Sequence, residues 1–201
     1  MANIFEDDFN SYNNGDLNGQ GSWIADAVYD VQDSTVYEGA KAIQINCTGT
    51  DNYCRKTGTG QADGRISFYM RASNVTSTYD VIMLRTTAGA EVTRLRWLGA
   101  TIAIQLNLAY TALTTTAAAN TWYLIEWEWR SADGKHRARI DGGAYTDWGS
   151  PNAAGTPGQW YINNYSSPST HTFYLDYIAE NPYSPPATAT NPGWVSKNGW
   201  F

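Results

Sequence analysis

WYLIEWEWRSADGKHRARID, residues 122–141, alternates apolar and charged side chains on either side of a short polar turn. In an extended chain successive side chains point to opposite faces. Tyr123, Ile125, Trp127 and Trp129 therefore share one apolar face, and Leu124, Glu126, Glu128 and Arg130 share the other. Residues 131–134, SADG, have the composition of a four-residue hairpin loop. That loop sets Arg130 opposite Lys135, Glu128 opposite Arg137 and Glu126 opposite Arg139. On the reverse face Trp127 meets Ala138 and Ile125 meets Ile140. A two-residue loop would instead oppose Arg130 to Arg137 and Glu126 to Asp141, like charges both times. Cross-strand charge pairs contribute roughly 0.2–1 kcal/mol each, with the sign set by their charges, so the four-residue loop is favoured.

Two carboxylates on one strand also suggest the acid/base pair of a glycoside hydrolase. Residues two apart on a strand have Cα atoms roughly 6.5–7 Å apart. A retaining enzyme needs its carboxyl groups about 5–5.5 Å apart, so spacing alone permits the chemistry. The facing arginines argue against it, because they keep both acids ionised and leave no proton donor. Glu126 and Glu128 are thus expected to form an ion-pair ladder, with no catalytic residues.

Outside the hairpin, period-two alternation predicts strands over 4–9, 41–47, 52–58, 64–72, 79–86, 91–98, 101–107, 159–165 and 172–180. Only TTTAAAN, before Trp122, hints at a helix, and it is too short to form one alone. Short strands at meander-like spacing predict an all-β, two-sheet antiparallel sandwich over residues 1–182. Residues 183–201 are Pro- and Thr-rich and suit an extended C-terminal tail. Its aromatics, Trp194, Trp200 and Phe201, either fold back on the sandwich or dock on a partner such as a capsid, tail or other surface assembly.

The net charge is −6 and no Lys/Arg cluster is present, so nucleic-acid binding is not expected. No apolar run approaches the ~20 residues of a membrane span, so membrane insertion is not expected either. The start, MANIFEDDF, lacks the pattern of a secretory signal, although the Tyr, Trp, Asn and Thr richness suits an extracellular β protein. The two observations together suggest a virion surface protein released by lysis, or a cell-surface protein. Cys47 and Cys54 flank a turn-like TGTDN, and a bridge across a hairpin and two free thiols both remain open.

The hairpin, the opening DDFNSYNNGDLNGQGSW (7–23) and the closing FYLDYIAENP (173–182) together resemble the concanavalin A-like lectin/glucanase superfamily, in particular its laminin-G-like jelly rolls. The resemblance spans about residues 4–182 and implies a jelly roll whose first and last strands are neighbours. Laminarinase-type members carry E-x-D-x-E on one strand. Here E-x-E is followed by Arg130 where the third acid would stand. His136 and His171 lack any motif around them, so no Ser–His–Asp set is expected. Calcium is common in the superfamily, and the resemblance points to Asp8 (or Asp7) with Asp176 as oxygen donors for a structural calcium, aided by Asp16 and Asn18. No other cofactor is expected.

QWYINNY carries the glycan signal. Trp160 and Ile162 should face the core, leaving Tyr161, Asn163 and Tyr165 on the other face, where rings can stack on sugars and amides can bond hydroxyls. The expected function is a non-catalytic, lectin-like module on a phage virion or cell surface, binding glycans or decorating an assembly. The competing expectations are a glucanase-like hydrolase using Glu126 and Glu128, and a ligand-free structural protein.

Overall fold

A computed structural model describes residues 5–47, 52–58, 60–76, 78–130, 132–163 and 171–182. Fifteen strands run in chain order: β1 (Phe5–Asp7), β2 (Gly15–Asp16), β3 (Ile24–Ala25), β4 (Tyr29–Gln32), β5 (Ala42–Cys47), β6 (Tyr53–Thr57), β7 (Gly64–Ala72), β8 (Thr78–Arg85), β9 (Glu91–Leu98), β10 (Thr101–Leu106), β11 (Ala109–Thr114), β12 (Tyr123–Arg130), β13 (Lys135–Ile140), β14 (Gln159–Asn163) and β15 (His171–Pro182). They form two antiparallel sheets. The eight-stranded sheet has the order β13-β12-β7-β15-β5-β4-β2, with β1 added on β15. The seven-stranded sheet has the order β11-β10-β9-β8-β14-β6-β3. The fold is an all-β jelly-roll sandwich, as expected, and its first and last described strands, β1 and β15, are paired.

Alternation builds the core. Ile125, Trp127 and Trp129 of β12, Ile66, Phe68 and Met70 of β7, and Ile43 and Ile45 of β5 all point inward and are buried. From the other sheet come Ile82 and Leu84, Leu95 and Trp97, Ile102 and Ile104, and Trp160 and Ile162. The largest of these rings set local constraints. A Cβ on Gly64 would lie 2.3 Å from Trp129, so only glycine fits opposite that indole. At one end of the core Asp7 accepts hydrogen bonds from Trp23 Nε1 (2.8 Å) and Tyr12 Oη (2.5 Å) and pairs with Lys56 at 3.0 Å.

The β12–β13 hairpin has the register the charges demanded. Arg130 opposes Lys135, Glu128 opposes Arg137, Glu126 opposes Arg139, Trp127 opposes Ala138 and Ile125 opposes Ile140. Four short strands, β2, β3, β4 and β11, were not predicted. The cysteine segment also folds differently from one of its readings. β5 and β6 belong to different sheets, so Cys47 and Cys54 do not face each other across a hairpin. Cys47 and Cys54 are free and buried, and burial pushes the Cys47 thiol up to about 12. The expected tail, 183–201, with Trp194, Trp200 and Phe201, lies outside the described residues, as does Tyr165.

Candidate functional site

The outer face of the eight-stranded sheet carries the two acids. Glu126 receives both Nε (2.5 Å) and an Nη (2.8 Å) of Arg139, and Arg65 of β7 stands 3.6 Å away. Glu128 receives Arg137 Nε at 2.8 Å and the Tyr145 hydroxyl at 2.8 Å. Burial and the bond to Glu128 push Tyr145 up to about 12, so it stays a proton donor to that carboxylate. Both glutamates are therefore fully engaged by cations and a phenol. Bidentate guanidinium–carboxylate pairs are the strongest form of such contacts.

The outer face of the seven-stranded sheet is arranged differently. Tyr161 of β14 sits opposite Arg55 of β6 and Met83 of β8. Its ring stacks on Tyr53 on the β6 side, with centroids 5.1 Å apart and planes 13° apart. On the β8 side the Arg85 guanidinium carbon lies 3.6 Å from the centre of the Tyr161 ring. Because β14 lies between β6 and β8, both faces of Tyr161 are covered. Its ring is thus not a platform for a sugar, and what it presents is its hydroxyl. Burial raises that hydroxyl's pKa above the ordinary value, which keeps it a neutral donor. Asn163 lies on the same face, opposite Tyr53.

Beside this column runs a polar row. Gln159 sits between Thr57 and Arg85, and Arg85 lies opposite Glu91 of β9. Gln159 is only 4% exposed although it is on the outer face. Asn152, from the loop after β13, reaches over the sheet and donates to Gln105 at 2.6 Å and Glu91 at 3.2 Å. Among the described residues, four buried polar atoms of this face have no hydrogen-bond partner: Arg55 Nε, Arg85 Nε, Gln159 Oε1 and Asn152 Oδ1. The same loop helps wall a cleft of about 460 Å³ with Trp129, Arg130, Asp133 and His136. His136 accepts from Trp127 Nε1 at 3.2 Å, and burial lowers its pKa to about 4.

The remaining expected site residues are placed apart from these. Asp8 bonds the backbone and side-chain amides of Asn10. Asp176 Oδ2 accepts the backbone N–H groups of Tyr37 and Glu38. Asp7 is neutralised by Lys56. Among the described residues no group of three or more His, Cys, Asp or Glu side chains is gathered closely enough to hold a metal ion. Nor is any helix long and apolar enough to cross a membrane. Tyr53, Arg55 and Arg85 escaped the sequence reading. Alternation would have put each on an outer face, but only the strand order β8-β14-β6 brings 53–55, 85 and 159–163 together.

No protein-family model matches the sequence, and no curated protein matches it significantly. Solved structures do. A sialidase superposes with a TM-score of 0.71 at 11% identity, covering 90% of this chain and 19% of the sialidase. The Bacillus licheniformis β-glucanase superposes at 0.61 and 13% identity, covering 91% of this chain and 100% of that one. A structure from work on endo-acting O-glycanases of the human gut microbiota superposes at 0.66 and 10% identity, covering 91% of this chain and 100% of that one. The chain therefore has the jelly-roll fold of these structures, in keeping with the resemblance to the concanavalin A-like superfamily. It spans about a fifth of the sialidase, 19%. These likenesses overturn the expectation that the chain is not an enzyme. That exclusion rested on the facing arginines and a missing third carboxylate, whereas the structures that superpose on the chain are mostly enzymes.

Proposed function

We propose that the chain recognises glycans on the outer face of its seven-stranded sheet, around Tyr161. The observation that carries this reading is the set of unpartnered polar atoms there. Buried donors and acceptors left unbonded cost about 1–3 kcal/mol each, and among the described residues four of them belong to the face that carries Tyr161. A polyhydroxylated ligand supplies both the donors and the acceptors that would satisfy them. The likeness to sialidase and β-glucanase folds supports the same substrate class. In this reading the module is displayed on a virion, such as that of a bacteriophage, or on a cell surface, and residues 183–201 attach it to its assembly. The Tyr-, Trp-, Asn- and Thr-rich composition suits that setting.

A glycan array probed with the full chain and with Tyr161→Phe tests it. Loss of one hydroxyl hydrogen bond should weaken binding about fivefold to tenfold without unfolding the protein. A blank array would contradict the reading and favour a purely structural role. A second reading, glycan cleavage at Glu126 and Glu128, draws support from the enzymes that share the fold. It requires turnover of a polysaccharide panel that Glu126→Gln or Glu128→Gln abolishes.

A further inference from the structure

The outer face of the seven-stranded sheet has a charge opposite to that of the whole molecule. The chain carries a net charge of −6, yet Arg55, Arg85, Arg94 and Arg96 all project from this face, as their register with Tyr161, Gln159, Met83 and Ala103 shows. Arg94 is committed to Glu91, at 2.9 and 2.5 Å, and Arg96 lies opposite Asp80. Arg85 lies opposite Glu91, but that carboxylate is taken by Arg94, and Arg55 lies opposite Tyr161. Among the described residues neither Arg55 nor Arg85 forms an ion pair, and each keeps a buried Nε without an acceptor. Arg85 lies over Tyr161 at 3.6 Å and donates an Nη to Met83 Sδ at 3.8 Å, and Arg55 lies over Tyr53 at 5.9 Å. The neighbouring carboxylate, Asp26, accepts the Tyr53 backbone N–H at 2.8 Å.

Stacking fixes a guanidinium in place but does not neutralise it. A buried donor that is also charged is best satisfied by an anionic acceptor, and hydrogen bonds to charged groups are the stronger kind. Two acceptors are also unpartnered among the described residues, Gln159 Oε1 opposite Arg85 and Asn152 Oδ1 over Glu91 and Gln105, and these call for hydroxyl donors instead. The complement of the face is therefore a molecule with acidic groups and hydroxyls interleaved. From β6 to β9 the strands span roughly 14 Å, room for more than one sugar ring.

We propose that the glycan taken by this face is anionic, a polysaccharide bearing carboxylate or sulfate groups, and that Arg55 and Arg85 read its charge. The inference rests on the glycan reading given above and specifies its substrate class. Tyr161, held between Tyr53 and Arg85, then acts as a positioning residue for Arg85 as well as a donor in its own right.

The test is titration calorimetry of the full chain with polygalacturonate (carboxylate), dextran sulfate (sulfate) and neutral dextran, at low and high salt. The expected result is binding to at least one anionic polymer, at least tenfold tighter than to dextran and weakened by salt. The two anionic probes separate carboxylate from sulfate recognition. Arg55→Gln and Arg85→Gln should each weaken that binding about tenfold or more, with melting temperatures unchanged. If Arg85→Gln destabilises the fold, Arg85→Lys keeps the charge and should retain salt-dependent binding. Equal, salt-independent binding to dextran that Tyr161→Phe weakens would overturn the charge assignment and leave the glycan reading standing. Anionic binding indifferent to both arginines would also overturn it. Failure to bind any glycan, here and on the array, would overturn both.

Discussion

A carboxyl group withdrawn from water without a cation holds its proton, and Glu180 is such a group. It is 3% exposed, near the Trp160 ring and Gly58, and burial pushes its pKa to about 7 from an ordinary value of 4.5. His136 is the opposite case, lowered to about 4 from 6.5 by burial. The two have opposed consequences for stability. Glu180 binds its proton more tightly folded than unfolded, so its cost is absent below pH 4.5 and grows as pH rises through 7. His136 binds its proton more weakly folded, so its contribution is present above pH 6.5 and is lost as pH falls towards 4. The wild-type protein should therefore show a shallow dependence between these limits, because the terms offset. Glu180→Gln should raise the melting temperature by roughly 3–8 °C at pH 8 and leave it nearly unchanged at pH 4. The variant should then lose stability steadily on acidification, following His136. Thermal melts at both pH values check this, and a variant destabilised equally at both would refute it.

At the level of elements, the β12–β13 hairpin is held by the ladder as well as by its apolar face. Replacing Arg139 with Met leaves the Glu126 carboxylate, 8% exposed, with only Arg65 at 3.6 Å. The expected loss is about 1–3 kcal/mol in urea unfolding, most of it recovered in Glu126→Gln/Arg139→Met because no buried charge is then left unpaired. Additive losses would mean the pair is not coupled. This hairpin was legible in the sequence because charge and size both discriminated between registers: Glu126 faces Arg139 while Trp127 faces Ala138. Strands with clear alternation, such as β7 and β9, were read to the residue. β11 was missed because Ala109–Thr114 is an exposed edge strand with no buried alternation to read. The cysteine segment left a hairpin open because a turn-like composition does not say whether the chain returns to the same sheet. The candidate site was legible only in part. Tyr161 and Asn163 could be given a face from QWYINNY, whereas their neighbours Tyr53, Arg55 and Arg85 arrive through strand pairings distant in sequence.

Across the whole molecule the two sheets present contrasting outer faces. On the eight-stranded sheet, Glu126 and Glu128 meet Arg139, Arg137 and Arg65, and both carboxylates are neutralised. On the seven-stranded sheet, Arg55 and Arg85 are braced by tyrosines and, among the described residues, form no ion pair. The first arrangement pairs its carboxylates within the protein, although Arg65 Nε also lacks an acceptor among the described residues, and the second leaves two unpaired guanidinium groups for a ligand. The most direct measurement of that contrast is the arginine Nε–H spectrum by NMR during titration with a bound oligosaccharide. The account predicts that the Arg55 and Arg85 signals shift and gain protection from exchange while those of Arg137 and Arg139 stay in place. Shifts confined to Arg137 and Arg139, with Arg55 and Arg85 unmoved, would contradict it.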